Sequence, residues 1–451
     1  MLEGAVKFLD RICGLCRRIR LDPDKPVPPP APDFLNRFVR LIVPNYVDWL
    51  VRHTKNRYGR TLKRIRGKVK ASEPLRVLFV VDMPAKWKAQ SLYDKMLCSK
   101  GYTPVVGVSK PQHIAGFTPR EIAARQKEVM DWFSDRGCRV VSIYDAFKDR
   151  FIDLRTVRPD IVIYQESWYS CIEHHPSKVS RFALAIYIPY FVPNYVDVKL
   201  DCQKEIHRFY WLYVVLNNEV AEIYRNATMD RFMAGTFEGL GHTILDQIHD
   251  IPIHRNGKPI VIYAPHWTFE HPNNQCPVKY STFAETGLKI LGWAKKNRQY
   301  HWVFKPHPNL KARLITSGLM SEGEVQEYYN AWGEIGEIHM GGDYIPLFEQ
   351  SIAIITDCGS FLSEYGATGN PVIHLISRRN KLVPPLLLAQ AYETYYQAHN
   401  IEEMYKWFGV VLEQGKDPKR AERLSAVRKA GLLGGNAAKC IVEYLETTFS
   451  A

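Results

Sequence analysis

Residues 352–375 read Ile352-Ala-Ile-Ile-Thr356-Asp357-Cys358-Gly359-Ser360-Phe-Leu-Ser-Glu364-Tyr-Gly366-Ala-Thr-Gly369-Asn-Pro371-Val-Ile-His-Leu375. An apolar, β-branched run enters a turn of small residues. A helical stretch, Phe361 to Thr368 with its start near Ser360, follows, and Gly369-Asn-Pro371 breaks it before Val372 to Leu375 opens another strand. Strand, helix and strand in that succession make a crossover unit, the connection that parallel strands need.

The same pattern runs outward in both directions. Before this unit come the strand Lys258–Tyr263, a helix over 281–297, the strand His301–Lys305, a helix over 322–332, the strand Ile338–Met340 and the helix Ile345–Gln350. An earlier series begins at Arg76-Val-Leu-Phe-Val-Val81, followed by a polar loop and a helical stretch over 89–100. It continues with strands at Thr103–Val108, Arg139–Ile143, Asp160–Tyr164, Ala183–Tyr190 and Trp211–Leu216, and helices over 119–136 and Glu219–Asn226. Two such series meeting near residue 250 predict an α/β protein with two Rossmann-like, doubly wound domains facing a cleft, and open α/β sheets bind ligands at the carboxyl ends of their strands. The expected divisions are a basic extension over 1–72, an N-terminal acceptor domain over 73–250, a C-terminal donor domain over 251–430 and a terminal helix over 431–451.

Charge is concentrated at one end. Residues 1–72 carry 17 Lys/Arg against 6 Asp/Glu, whereas the chain as a whole has a formal charge of +13, so the extension holds nearly all of the excess. Helical spacing of Leu2, Val6, Leu9, Ile12, Cys13, Cys16 and Ile19, a proline-rich break over 23–32, an apolar stretch from Phe34 to Val51 and a basic run from Arg52 to Lys70 compose it. Such a segment suits an anionic membrane surface; packing against the body with a solvated basic face is the other reading. Nucleic acid is not expected, because no base-reading motif accompanies the charge. Nine scattered Cys point to a reducing compartment, and no stretch has the apolar length of a membrane span. The expected location is therefore cytoplasmic, peripheral on the inner face of the membrane. No metal site is expected, because the histidine pairs lack a third ligand at zinc spacing, and neither a P-loop nor a dinucleotide fingerprint is present.

Chemistry-bearing residues gather at strand ends in the second half. Tyr263-Ala-Pro-His266-Trp267 follows one strand, and Lys305-Pro306-His307-Pro308 follows the next. Lys305 and His307 offer a cation and a titratable donor of the kind that neutralises charge growing on a nucleotide leaving group. Asp357, Gly359 and Ser360 open a helix whose free N–H groups suit a phosphate, Glu364 lies one turn on, within reach of ribose hydroxyls, and Arg378 lies just past a strand where it could clamp phosphates.

These motifs, with Asp343-Tyr-Ile-Pro-Leu-Phe348 and Gly369-Asn-Pro371, resemble the CDP-glycerol glycerophosphotransferase family, the teichoic-acid primases and polymerases. Gly239-Leu-Gly-His-Thr-Ile-Leu-Asp246 is similar to the family's Gly-x-Pro-Arg-x-Asp element. The resemblance covers about residues 235–376 and implies a GT-B fold, donor binding in the C-terminal domain with His307 and Ser360 at the donor phosphates, and peripheral membrane attachment. Two departures stand out. Tyr187-Ile-Pro-Tyr190 occupies the place of the family's His-Gly-Thr-Pro loop, which removes the expected base. Asp357-Cys-Gly-Ser360 replaces Asp-Tyr-Ser-Ser and leans toward the turn of UDP-sugar epimerases.

The base then has to come from N-terminal loops: Gln165-Glu166-Ser-Trp168, with Glu166 the leading choice, Glu173-His174-His175, or Asp82. The expected function is transfer of a glycerol-phosphate, polyol-phosphate or sugar unit from a nucleotide-activated donor to a lipid-linked glycan acceptor, with no cofactor. A UDP-sugar 2-epimerase-like enzyme or UDP-sugar glycosyltransferase, and a non-catalytic GT-B scaffold, are the alternatives.

Overall fold

The computed structural model describes residues 46–112, 116–166, 173–193, 205–228, 233–248, 257–269, 278–340 and 343–451. Residues 1–45, with Cys13, Cys16 and the proline-rich break, lie outside the described residues, as do Trp168 and His271.

In chain order the first half comprises α1 (Tyr46–Lys70), β1 (Leu75–Val81), α2 (Gln90–Leu97), β2 (Tyr102–Val108), α3 (Pro119–Ser134), β3 (Val140–Ser142), the small antiparallel pair β4 (Tyr144–Asp145) and β5 (Arg150–Phe151), and β6 (Ile161–Tyr164). It continues with α4 (Pro176–Val179), β7 (Leu184–Tyr187), β8 (Leu212–Val215), α5 (Asn218–Thr228) and β9 (Thr236–Gly239). The second half comprises β10 (Ile260–Ala264), α6 (Phe283–Lys296), β11 (His301–Phe304), α7 (Leu310–Thr316), α8 (Glu322–Ile335), β12 (Gly336–Ile338), α9 (Ile345–Gln350), β13 (Ser351–Thr356) and α10 (Gly359–Gly366). Then follow β14 (Val372–Leu375), α11 (Leu386–Glu393), β15 (Tyr396–Ala398), α12 (Ile401–Phe408), α13 (Arg420–Lys429) and α14 (Ala437–Ser450).

Both main sheets are wholly parallel. The first runs β3-β2-β1-β6-β7-β8-β9 and the second β12-β11-β10-β13-β14-β15. Each therefore begins at its centre and reverses direction once, between β1 and β6 in the first and between β10 and β13 in the second. Burial on both faces explains the continuous apolar runs of the central strands: every residue of β6, β7 and β8 is buried. This is the GT-B arrangement, two Rossmann-like sheets in one chain.

Edges depart from the sequence reading. The strand expected to run to Tyr190 stops at Tyr187, since Pro189 has no N–H for the ladder. The strand expected at 338–340 lies at Gly336–Ile338, because only a glycine fits there: a Cβ on Gly336 would stand 1.9 Å from the Trp302 carbonyl oxygen. The short edge strands β9 and β15 were not expected.

Two helices bind the chain ends to the first half. Val51, Thr54, Tyr58, Thr61 and Ile65, at alternating spacings of three and four, bury one seam of α1. Tyr58 donates to the Phe209 carbonyl (2.7 Å), and buried Asp160 accepts from Arg64 (2.5 Å), Lys68 (3.0 Å) and the Arg76 N–H (3.0 Å). Residues 46–70 thus belong to the first half's core, with Arg52, Lys55, Arg60 and Lys63 left exposed. Helix α14 returns from the second half to bury Ile441, Val442, Leu445 and Phe449 in that same core. Asp246 receives it by accepting the Ala437 and Ala438 N–H groups, both at 2.8 Å. Gly241, at φ +91°, lets the two segments touch, for a Cβ there would lie 2.9 Å from that of Ala437. No helix among the described residues is long and apolar enough to cross a membrane.

Removing the Asp160 carboxylate (Asp160→Ala) strands a buried N–H and unpairs two cations that are partly exposed and so well screened. A loss of about 2 kcal/mol is expected by urea denaturation. A loss below about 0.5 kcal/mol would mean that α1 is not held to the domain by this carboxylate.

Candidate functional site

At the second sheet's switch point, β10 and β13 are joined by a carboxylate. Asp357 accepts the His266 N–H (2.6 Å) on one oxygen, and the Thr282 N–H (2.6 Å) and hydroxyl (2.9 Å) on the other. Burial pushes its carboxyl up to about 6, opposed by these donors. Both oxygens are occupied, so Asp357 acts as a clasp between the loop after β10 and the start of α6.

His266 and His307 meet edge to face, ring centres 5.1 Å apart. The Nδ1 of His266 accepts the Thr268 N–H (3.3 Å) and lies 2.7 Å from the Thr268 hydroxyl, and the Nδ1 of His307 accepts the Asn309 N–H (3.1 Å). The acceptor role at Nδ1 places the proton on Nε2 in both rings. Burial holds His266 well below its usual range, and burial with the nearby Lys305 charge lowers His307 to about 4. At neutral pH His307 is an uncharged N–H donor rather than the titrating group expected from sequence.

Lys305, one of the buried lysines, lies 4.9 Å from the Tyr344 ring centre and 5.6 Å from that of Phe361. The same Tyr344 ring takes a second ammonium, Lys88, at 4.2 Å. Lys88 belongs to the first half, in the loop after β1, and is itself buried. Burial lowers both lysines, Lys305 to about 8; Glu364 and Asp343 draw Lys88 back up, while Lys88 further lowers Lys305. The Tyr344 hydroxyl donates to the buried Glu364 carboxylate, which burial raises against the pull of Lys88. The start of α10 adjoins this cluster: Gly359 and Ser360 lie in its first turn, which carries no side-chain cap. Two buried cations, a neutral N–H donor and an uncapped helix start can bind an anion of two or more charges. Sequence reasoning missed Lys88, whose only signal was a lysine in a polar loop.

Beside α10 a cavity of about 260 Å³ is lined by Tyr280, Asp357, Leu362, His374, Asn380 and Tyr392, among others. The His374 Nδ1 and Asn380 Oδ1 are buried and have no hydrogen-bond partner among the described residues. Arg378 is exposed, its carbonyl accepts from Lys381 (3.2 Å), and its charge acts on Glu403.

Glu166 lies in the first half, beyond β6. Its carboxylate accepts from Lys86 (2.7 Å), which also donates to Asp82 beyond β1 (3.0 Å), so two of the base candidates share one ammonium. The histidines of the third candidate stretch, Glu173-His174-His175, both bond backbone groups nearby. His174 bonds the Ile152 carbonyl (2.8 Å), and His175 accepts the Ser177 N–H (3.3 Å) at the start of α4. Tyr187 is buried among Tyr210 and Tyr213, and the Pro189 carbonyl beyond it is fastened by His242 Nε2 at 2.8 Å.

No family model and no curated protein matches the sequence. Among solved structures, a variant of the wall teichoic acid polymerase TagF is similar over 92% of this chain and 98% of its own, at a TM-score of 0.52 and 13% identity. The UDP-GlcNAc 2-epimerase from Neisseria meningitidis, bound to UDP-GlcNAc, is similar over 83% of this chain and 100% of its own, at 0.50 and 15%. The epimerase from Rickettsia bellii gives 0.51 and 12% over 84% and 97%. These likenesses are likenesses of fold.

An anion held by Lys305 loses its counter-charge as pH rises through the lysine's value of about 8. Affinity for a nucleoside diphosphate is expected to fall about tenfold between pH 7.5 and pH 9 by titration calorimetry, and to stay flat in Lys305→Arg. A flat profile in the unaltered protein would remove Lys305 from the anion's contacts.

Proposed function

We propose that this chain transfers a glycerol-phosphate, polyol-phosphate or sugar unit from a nucleotide-activated donor to a hydroxyl of a membrane-attached glycan. One observation carries the reading. The segment after β1 sends Lys86 to the carboxylates Asp82 and Glu166 of the first half, and two residues later sends Lys88 to the Tyr344 ring of the second. A cationic crevice and an anionic one are thereby held on either side of three residues.

Group transfer needs both. The donor's phosphates lie against Lys305, Lys88, the His307 Nε2–H and the start of α10, where charge growing on the leaving nucleotide is neutralised. The 260 Å³ cavity takes the nucleoside, with His374 and Asn380 facing the base edge. The acceptor oxygen approaches from the first half, where the Asp82–Glu166 pair takes its proton as the new bond forms and the nucleotide leaves with the electrons of the broken one. Glycerol-phosphate transfer directs the attack to phosphorus and releases the nucleoside monophosphate; sugar transfer directs it to the anomeric carbon and releases the diphosphate. The likeness to a teichoic acid polymerase and to epimerases that handle UDP-GlcNAc supports a nucleotide-linked donor. The exposed basic face of α1, with Arg52, Lys55, Arg60 and Lys63, supports attachment to an anionic membrane that carries the acceptor.

A thermal-shift panel of CMP, CDP-glycerol, CDP-ribitol, UDP, UDP-GlcNAc and GDP tests the donor side. A ligand at 100 times its dissociation constant stabilises by roughly 2.7 kcal/mol, a readily visible shift. Stabilisation by at least one nucleotide is expected, lost in His307→Ala and in Lys88→Ala. It should be kept in part by His307→Gln, which places an amide N–H near the Nε2 position, and not by His307→Asn. Response to uridine compounds alone would assign sugar-nucleotide chemistry, and no response to any nucleotide would leave a scaffold.

A second expectation concerns α1. The protein should sediment with vesicles of 30% anionic lipid at low salt and be released at high salt. Reversing Arg52, Lys55, Arg60 and Lys63 to Glu should abolish this; binding unaffected by that change would exclude the helix as the contact.

A further inference from the structure

The first half's own switch point holds a cavity of about 30 Å³, on the scale of one or two hydroxyl groups, lined by Asp82, Lys86, Ser109, Gln165, Glu166 and His174, among others. Two of its polar groups are unsatisfied. Ser109 is 1% exposed and Gln165 2%, and neither the Ser109 Oγ nor the Gln165 Nε2 has a hydrogen-bond partner among the described residues. The other end of the Gln165 amide is fixed, because its Oε1 accepts the Lys88 N–H at 2.8 Å. A buried polar group without a hydrogen bond is destabilising, so two on one cavity point to a ligand that completes them.

The charges say what kind of ligand. One ammonium, Lys86, stands between two carboxylates; Glu166 is further held by the Gln112 amide (2.9 Å), and His174 is buried and kept neutral. The crevice is net negative when both carboxylates are ionised, the reverse of the lysine-rich crevice across the cleft. A phosphate would meet two like charges there. A neutral hydroxyl group would donate its proton to a carboxylate and accept on its two lone pairs from the Gln165 Nε2–H and the Ser109 Oγ–H, satisfying both unpartnered groups.

We propose that this cavity is the acceptor subsite of the group-transfer reaction, that it takes the neutral, hydroxyl-bearing end of a polyol or sugar, and that Ser109 and Gln165 hold that end while Asp82 receives the proton of the attacking hydroxyl. The inference rests on the group-transfer reading for its chemistry but makes its own claim about binding. Asp82 suits the role because burial, with the nearby Glu166 charge, raises its carboxyl to about 6. The glutamate favoured from sequence becomes the partner that holds Lys86 in place.

The test is saturation-transfer NMR on the full chain with glycerol, ribitol, methyl β-glucoside and methyl N-acetyl-β-glucosaminide as neutral probes and glycerol 3-phosphate as the anionic one. At least one neutral probe is expected to bind, and to bind about tenfold more weakly in Ser109→Ala and in Gln165→Leu, while the nucleotide thermal shift is unchanged in Ser109→Ala, which leaves the Lys88 N–H its acceptor. Absence of any neutral binder, binding that survives both substitutions, or preference for glycerol 3-phosphate overturns the proposal. Failure of the nucleotide shift with polyol binding intact would remove the transfer reading and leave the subsite standing. Ser109→Ala deletes a single oxygen, which keeps the test available if Gln165→Leu does not fold.

Discussion

Parallel strands can be joined only by a crossover, so each strand of the two sheets must be entered from the same edge and left at the opposite one. That constraint gathers the loops after β1, β6, β10, β11 and β13 at the carboxyl ends of their sheets. Because each sheet starts at its centre and reverses once, two neighbouring loops in each half diverge and leave a crevice. The segment after β1 serves both crevices through Lys86 and Lys88, a division that the backbone direction alone makes possible.

The carboxylates withdrawn from solvent, four of them buried and Asp246 and Glu166 half-buried, differ in what surrounds them. Asp160, Asp246 and Asp357 have their oxygens filled by backbone N–H groups, hydroxyls or cations of the protein itself, and each ties together segments far apart in the chain. They hold the frame. Asp82 and Glu166 instead share one lysine beside polar groups that have no partner among the described residues. Glu364 is intermediate: Tyr344 occupies it, and that same tyrosine presents its ring to two lysines. An aromatic face is an economical way to hold ammonium groups in a dry site, since it attracts them without the full charge that would compete with an incoming phosphate.

The two halves are fastened away from the cleft as well. Glu219 accepts the Leu387 N–H (3.1 Å), the Asn217 amide donates to the Ala430 carbonyl (3.0 Å), and α14 crosses back to complete the first core. Contacts of this kind set the spacing at which Lys88 reaches Tyr344, so the chain end contributes to the site without touching it.

Much of this was legible in the residues. The central strands are continuous apolar runs because both their faces are covered, and the loops that follow them carry His266, Lys305, His307, Asp357 and Ser360 in an order that marks one crevice. Short edge strands such as β9 and β15 gave no such run, and Gly336 falls between the expected helix over 322–332 and the expected strand at 338–340, although it opens a strand that lies against the Trp302 backbone. The sequence alone therefore determined the class of fold, the two-sheet organisation and the strand-end loops, because local burial writes its pattern into consecutive residues. Only the tertiary structure decided that Lys88 crosses to the other half, that Asp82 and Glu166 converge on Lys86 and that Asp357 is fully engaged. Those facts depend on distances between segments far apart in the chain, and a lysine that will be buried between two domains has the same covalent structure as one that will stay in water.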